Sequence, residues 1–256
     1  MPINFFGYSI EKNKPQSDGV VSFVPPETDD GASIVQGGGL YGSYLDFDPY
    51  IKNDIDLIHK YRDMALHPEV EMAIDDICND SLVFDKERVA ISLNLDYTSL
   101  SSPIKKRVLE EFDNILKLLR FRSRGHEIFR KWYIESRLYF HMILDPKSPK
   151  SGIVELRPID PTKIRKVKKV NKKSERDSTS QPYTLYADTE EFYIYNERQT
   201  GTNTAGSNQN YGGLDTGLKI LPDAICYINS GLYDSTRRRV FGYLQKAIKP
   251  LNQLRM

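Results

Sequence analysis

Cysteine and tryptophan are scarce in this chain, whose 256 residues include two cysteines, Cys78 and Cys226, and one tryptophan. Two cysteines cannot build a disulfide framework, and neither lies in a CxxC or Cys/His motif, so the pattern favours buried thiols in a reducing compartment. No apolar stretch approaches the roughly 20 residues that cross a bilayer, and the first residues lack the basic start and apolar centre of a signal peptide. The sequence therefore predicts a cytosolic place of action and no membrane-spanning segment.

The chain also has no large excess of positive or of negative side chains. Lysine and arginine number 36, and aspartate and glutamate number 35, which leaves a net charge of +1. Proteins that clamp nucleic acid through many phosphate contacts are strongly basic, so this balance excludes a tight DNA clamp and predicts that any DNA partner is contacted weakly. The hydrophobic content of 39% is nevertheless enough to build a sizeable core.

Motifs for catalysis and for cofactors are not found in the sequence. Gly37 to Gly42 formally satisfy GxGxxG, but no strand precedes them and no helix opens on the last glycine, as a dinucleotide site requires. The four histidines have no metal-ligand spacing and form no Ser/His/Asp set. They are His59, His67, His126 and His141. The sequence therefore predicts a protein that is not an enzyme and that holds no metal or cofactor.

Composition divides the chain into three parts. Residues 1–45 are predicted to form an acidic, weakly ordered arm, because residues 1–60 carry nine acidic and four basic side chains. Residues 46–239 are predicted to form one α+β domain, with a mobile loop at 197–217 that is rich in Thr, Asn, Gly and Ser. Residues 240–256 begin a helix whose apolar spacing is unbroken at its end, so we expect it to continue in a longer protein.

Helical spacing of apolar residues dominates the first half of the predicted domain. It predicts one helix from Asp48 to Leu66 and a second that opens with Pro68 at its first position. The strongest helix begins at Ser101 to Pro103, which combine a cap with an N1 proline. A fourth helix carries Trp132. The third helix is expected to bury an apolar stripe made of Ile104, Val108, Leu109, Phe112, Ile115, Leu116 and Leu119.

Strand signals dominate the second half. Alternation from Val89 to Leu95 predicts an early strand. Further strands are predicted near residues 138–144, 153–159, 163–170, 183–187, 191–196 and 224–229. Helices followed by strands favour an α+β fold, in which N-terminal helices pack on a mostly antiparallel sheet and the C-terminal helix is truncated.

Two groups of basic residues are candidate surfaces for DNA or for acidic partners. The first group places seven basic residues among eleven with no acid, and consists of Lys163, Arg165, Lys166, Lys168, Lys169, Lys172 and Lys173. The second group consists of Arg237, Arg238 and Arg239, with Lys246 and Lys249. Such a run is either a solvated strand edge that blocks unwanted pairing or an electropositive patch. Both interpretations stay open.

An aromatic group on the fourth helix, made of Phe129, Trp132 and Tyr133, is a candidate surface for subunit packing. Basic residues flank it, and a basic and aromatic mixture can also stack on single-stranded nucleic acid. The flanking residues are Arg122, Arg124, Arg130 and Lys131. The helical spacing favours packing, in the core and at a subunit interface.

A cluster of carboxylates on the second helix is the remaining candidate for chemistry. Two-metal sites for phosphoryl transfer need grouped carboxylates, so a metal-dependent nuclease is an alternative function. The spacing spreads these residues around the polar side of one helix, which favours a solvated face. They are Glu69, Glu71, Asp75, Asp76 and Asp80.

Three blocks of the sequence carry a resemblance to a known family. The first is YRDMALHPEVEMAIDDICNDS, from Tyr61 to Ser81. The second runs from Arg122 to Pro161 and ends in Arg-Pro-Ile-Asp-Pro, and the third is NSGLYDSTRRRVFGYLQKAIKPLNQL, from Asn229 to Leu254. Together they resemble the N-terminal part of the portal protein of T-even-type contractile-tailed bacteriophages.

This resemblance implies a structural role. It implies the wing-type region of a ring, of twelve subunits, at the capsid vertex of the virion, assembled in the host cytoplasm. The ring is the passage for genome packaging and ejection. Its implied partners are copies of itself, the packaging ATPase (the terminase large subunit), the major capsid protein and scaffold, the neck proteins, and double-stranded DNA. A nucleic-acid-binding module that uses residues 163–173 is an alternative, beside the nuclease.

Overall fold

The structure is a computed structural model that describes residues 3–5, 8–10, 31–37, 49–83, 90–148, 152–176, 182–197, 217–234 and 239–254. Most of the predicted arm over residues 1–45 and most of the predicted loop over 197–217 lie outside these residues. Arg237 and Arg238 lie outside them as well.

Five α-helices lie within the described part of the chain. They are α1 (Pro49–Met64), α2 (Pro68–Ser81), α3 (Ser102–Leu118), α4 (Phe121–Glu135) and α5 (Ile248–Leu254). Pro68 and Pro103 stand in the first turns of α2 and α3, where a missing N–H costs no hydrogen bond, as the sequence predicts. Arg120, with φ 49°, turns the chain from α3 into α4, and Ser136, with φ 64°, ends α4.

The described strands form three sheets. The strands are β1 (Ile3–Phe5), β2 (Tyr8–Ile10), β3 (Ser33–Gly37), β4 (Arg137–Leu144), β5 (Ile153–Ile159), β6 (Ile164–Arg176), β7 (Pro182–Tyr195), β8 (Leu218–Ile220) and β9 (Ile225–Asn229). The strand orders in the three sheets are β1-β2, β3-β6-β7-β8 and β5-β4-β9. The pairing of β3 with β6 is parallel and the other strand pairings are antiparallel. The predicted α+β class with a mostly antiparallel sheet is confirmed.

The predicted strand from Val89 to Leu95 is wrong. Residues 90–95 form no strand, and no described strand pairs with them. Two-residue alternation specifies a strand only where a neighbouring strand offers a surface to pair with and to pack on. The two strands predicted at 183–187 and 191–196 are one continuous strand, β7, because Thr189 to Glu191 also pair with β6, next to an irregularity that shifts the register between Val170 and Lys172.

The predicted helix from Val240 begins eight residues later than expected. Val240 bridges Tyr233, and a 3-10 helix from Tyr243 to Ala247 precedes α5. With α5 beginning at Ile248, Pro250 lies in its first turn. A helix that began at Val240 would hold Pro250 in its interior, where it removes a hydrogen bond and clashes with the preceding turn.

The described core has two main centres. The helical centre joins α1, α2, α4 and the 3-10 helix, through Tyr61, Met64, Ala65, Ile74, Cys78, Ile134 and Leu244. The second centre lies between the two larger sheets, through Tyr139, Ile164, Tyr193 and Ile225. None of the described helices is long and apolar enough to cross a membrane.

Candidate assembly surfaces and the basic strand

Tyr61 holds α1 against the C-terminal segment, residues 239–254. Its hydroxyl donates a hydrogen bond to Gln245 Oε1 at 2.7 Å and accepts one from the Gly242 N–H at 3.1 Å. The side chain is fully buried, and burial raises the pKa of Tyr61 above its ordinary value. A Cβ on Gly242 would lie 2.8 Å from the Tyr61 ring. The neutral hydroxyl and the missing side chain together let the segment approach α1 closely.

Arg62 joins α1 to α4 and to the turn after β5. Its guanidinium lies 2.8 Å from Glu135 Oε1 and 3.0 Å from Asp160 Oδ1. Asp160 also accepts hydrogen bonds from the N–H and the hydroxyl of Thr162. Burial works against the Asp160 carboxylate, but the hydrogen bonds from Thr162 and Arg62 outweigh it and lower its pKa. For Glu135, burial outweighs Arg62 and raises the pKa.

Arg137 is a buried cation at the beginning of β4. Its Nη1 lies 3.4 Å from Asp54 Oδ2, and its Nη2 donates a hydrogen bond to the Val240 carbonyl at 3.0 Å. A charge that is left without its partner in the interior costs several kcal/mol, so this pair depends on both members. Arg137 therefore connects α1, β4 and the C-terminal segment at one point.

The three blocks that carry the family resemblance meet at these contacts. Tyr61 and Arg62 begin the first block, Asp160 is the next-to-last residue of the second, and Gly242 and Gln245 belong to the third. Each block is recognisable in the sequence by itself, but a pairing of residues about 180 positions apart leaves no local pattern. The contacts explain why the blocks go together in one chain.

The aromatic group on α4 packs on the C-terminal segment. The rings of Tyr133 and Tyr243 are stacked, with 5.0 Å between their centroids and an angle of 4° between their planes. The ring centroid of Trp132 lies 5.5 Å from that of Tyr243. The ring centroid of Phe129 lies 5.7 Å from that of Trp132. The Nε1 of Trp132 donates a hydrogen bond to the Asn229 carbonyl at 3.3 Å. The predicted packing of Phe129, Trp132 and Tyr133 thus takes place within the chain. Their contact with a neighbouring subunit stays a prediction.

The basic strand β6 lies beside acidic residues of β7. Lys166 Nζ and Lys168 Nζ each lie 3.0 Å from a carboxylate oxygen of Glu191, and these two lysine side chains are 15% and 13% exposed. Although burial opposes it, the two lysines lower the pKa of Glu191. Half of the positive charge in this pair of lysines is therefore balanced within the sheet.

The remaining basic candidates have different surroundings. Lys169 lies opposite Glu190 in the β6–β7 register, and Lys172 and Lys173 continue β6 beyond it. Burial lowers the pKa of Arg165. Lys163 lies in the turn before β6 and donates its backbone N–H to the Asp160 carbonyl at 2.9 Å. Arg239 is half-buried beside Val240. Lys246 and Lys249 are exposed.

The carboxylates of α2 are partly engaged by α4. Arg130 Nε lies 3.3 Å from Asp75 Oδ1, and Arg130 Nη2 lies 3.5 Å from Glu71 Oε1. Asp76 and Asp80 are exposed. Within the described ranges, no three His, Cys, Asp or Glu side chains come together as a metal ion would need. The arrangement can form ion pairs with a cationic surface, because three of its five carboxylates have no ion pair to another described residue.

A groove of 440 Å³ opens along α4, between the end of α3 and the sheet strands β4 and β5. Its apolar lining comes from Leu118, Leu119, Ile128, Leu138, Phe140, Val154, Leu156 and Pro158. Its charged lining comes from Lys117, Arg120, Arg124, Lys131, Glu127 and Glu155. Arg124 and Lys131 both bind Glu127 and lower its pKa to about 2.

The expected burial of the apolar stripe of α3 is wrong. No residue of α3 is buried, and Ile104 and Ile115 are each 43% exposed. Within the described residues, α3 contacts α4 and β5. Leu119, the last residue of the predicted stripe, lines the groove.

Comparison with known proteins identifies the family. The sequence model described as "Bacteriophage T4-like portal protein (Gp20)" matches residues 54–256. The chain is 35% identical to the portal protein of Vibrio phage KVP40, over 96% of the chain and 47% of that relative. It is 30% identical to the portal protein of Salmonella phage ViI, over 89% of the chain and 41% of that relative. The chain spans less than half the length of these two relatives. Because the family match takes in all three sequence blocks and the contacts that join them, the chain belongs to the bacteriophage T4-like portal protein family.

Proposed function

We propose that the chain is a structural, non-enzymatic part of the portal ring at the capsid vertex of a tailed phage. The family match over residues 54–256 is the observation that carries this proposal. In the proposed portal, twelve copies of the subunit close into a ring through which double-stranded DNA is packaged and later ejected. The described residues form the wing-type region of the subunit.

The charge arrangement of β6 and β7 supports a passage that holds DNA weakly. Each phosphate bound by lysine or arginine adds to the energy needed to move the duplex by one step. Glu191 balances part of the charge of Lys166 and Lys168, and the whole chain carries a net charge of +1. Weak contacts repeated around a ring guide DNA without retaining it.

The ring assembles in the host cytoplasm and then stays in the virion. There it docks the packaging ATPase, which is the terminase large subunit, and later the neck proteins, while the scaffold and the major capsid protein surround it. A ring suits these roles, because one heterologous contact per subunit builds a large closed assembly.

Electron microscopy tests the proposal most simply. Protein expressed from the complete gene should form closed rings with a hole wide enough for duplex DNA. A stable monomer under all solution conditions would contradict the proposed function.

Two binding assays separate the alternatives. A DNA-binding module on residues 163–173 should bind duplex tightly at low salt and lose affinity steeply as salt rises, whereas the portal chain should bind poorly throughout. A metal-dependent nuclease should cleave DNA with magnesium and lose the activity in Asp76→Asn. The ion pairs of Arg130 with Glu71 and Asp75 already engage two of the carboxylates that the nuclease would need.

A further inference from the structure

We propose that the acidic face of α2 in one subunit docks in the α4 groove of the next subunit, and that this head-to-tail contact closes the ring. The acidic face of α2 is formed by Glu69, Asp76 and Asp80 with the neighbouring Leu66 and Met72. The α4 groove is the groove between α3, α4 and β5, with the exposed edge of α3. The inference rests on the proposed function, since it names the surfaces through which the portal copies meet.

The α4 groove has the features of a site for a helix. Eight of its fourteen lining residues are apolar, and Val154 on its β5 side is 55% exposed. Ile115 is 43% exposed and lies one helical turn before Leu118 and Leu119, which line the groove. An amphipathic helix commonly binds by laying apolar anchors into such a groove. An exposed apolar surface of this kind marks an interaction site more often than a solvated face.

The α2 surface has matching features. Leu66 and Met72 are 77% and 70% exposed, so they are available as apolar anchors. The helix contains no lysine or arginine, and its Asp76 and Asp80 have no ion pair to another described residue. Two exposed apolar side chains within an acidic surface suit a partner that is both apolar and basic.

Charge favours pairing of the two surfaces with each other. The groove lining holds four basic and two acidic residues, so it carries two net positive charges at neutral pH. Lys117 and Arg120 at its rim have no ion pair to a described carboxylate. Pairing of two α2 faces, or of two grooves, would bring like charges together, which costs free energy and disfavours a two-fold contact in which each surface meets its own copy.

The two surfaces also lie on opposite sides of α4. Ile128 lines the groove, whereas Arg130 forms ion pairs with α2. These residues are two positions apart, which corresponds to about 200° around a helix of 3.6 residues per turn. A ring of identical subunits needs two different, complementary surfaces on opposite sides of each copy. Because DNA would use the basic residues but not the apolar lining, a second copy of the chain fits both surfaces best.

Charge reversal gives a direct test. One variant carries Asp76→Lys with Asp80→Lys, and the other carries Lys117→Glu with Arg120→Glu; all four side chains are exposed. Each variant alone places like charges on both halves of the contact, so the ring fraction in electron micrographs should fall at least tenfold. In a 1:1 mixture, the basic α2 meets the acidic groove and the acidic α2 meets the basic groove, so rings of alternating subunits should form again.

A matched control uses the polar side of α3. Glu110→Lys with Asp113→Lys makes the same chemical change on two exposed helical residues, and it should leave ring formation unchanged. If both charge-reversed variants form rings alone, or if their mixture forms none, the inference is overturned while the portal function stands. The groove would then hold another segment or a capsid partner. If the wild-type protein forms no rings, the proposed function and the inference fall together.

Cross-linking provides a second measurement that does not depend on an assembly defect. In protein that carries Cys226→Ser, so that the half-exposed native thiol does not react, Met72→Cys combined with Ile115→Cys should give a ladder of dimers, trimers and larger species with a short bismaleimide. Each single variant should give no ladder, because a head-to-tail contact brings Met72 near Ile115 of another copy and not near itself. A dimer from one single variant, or no ladder from a double variant that forms rings, would contradict the contact.

Discussion

The Tyr61 hydroxyl joins parts of the chain that are 184 and 181 positions apart. Tyr61→Phe keeps the ring but leaves the buried Gly242 N–H without its acceptor. Since an unsatisfied buried donor costs about 1–3 kcal/mol, the free energy of unfolding should fall by that amount in urea denaturation. Tyr97→Phe is the control, because Tyr97 is almost fully exposed. This substitution should change the free energy of unfolding by no more than about 0.5 kcal/mol. Equal effects of the two substitutions would contradict this role of Tyr61.

Arg137 and Asp54 form the other contact that depends on single residues. Arg137→Met should lower the free energy of unfolding by about 3–5 kcal/mol, because it leaves the Asp54 charge without its partner. Arg137→Met combined with Asp54→Leu removes both charges and should cost less than Arg137→Met alone. Thermal denaturation of the two variants measures the difference. A larger loss in the double variant would show that the pair is not held together by its charges.

At the scale of elements, Glu191 sets how much positive charge β6 presents. Glu191→Gln keeps the shape of the side chain but removes the balance to Lys166 and Lys168. Duplex binding should become tighter at low salt, and the slope of log K against log salt should steepen by about 2, since each phosphate contact contributes roughly 0.9. Glu110→Gln removes one charge elsewhere and should not change the slope. Fluorescence anisotropy with labelled duplex measures the affinity and its salt dependence for each variant. Equal slopes for the wild-type protein and Glu191→Gln would mean that the two lysines do not face DNA.

The same carboxylate gives a pH dependence of stability. Burial opposes its ionisation, but Lys166 and Lys168 lower the pKa of Glu191 below its ordinary 4.5. A lowered pKa in the folded state stabilises the protein above the unfolded pKa, and this contribution is lost as the pH falls through the folded pKa. The free energy of unfolding should therefore decline below pH 4.5 more steeply in the wild-type protein than in Glu191→Gln. Urea denaturation over this range checks the slopes, and parallel curves would contradict the pairing.

Some elements could be predicted from the sequence because their signals are local. Pro68 and Pro103 mark the first turns of α2 and α3, and apolar spacing marks their length. The strand near 89–95 was wrong because alternation says nothing about whether a partner strand is present. The pairing of Lys166 and Lys168 with Glu191 was missed for a related reason, since it depends on the β6–β7 register. A pair of acids following a basic run by some twenty residues is the one signal that could have suggested it.

At the scale of the whole molecule, the three family blocks form one structural unit. Tyr61 contacts Gly242 and Arg62 contacts Asp160, so α1, the turn after β5 and the C-terminal segment are joined to one another. Among the exposed apolar regions of the described surface, the one on α2 is acidic and the one in the α4 groove carries net positive charge. Two such surfaces on opposite sides suit the head-to-tail contact that we propose for a ring subunit.

Native mass spectrometry of the protein expressed from its complete gene tests the central claim most directly. We expect one dominant species with the mass of a closed ring, twelve subunits in the proposal, with few open intermediates because each added subunit makes the same contact. A spectrum that contains only monomer, or a two-fold dimer that grows no further at any concentration, would contradict the assignment of this chain to a portal ring.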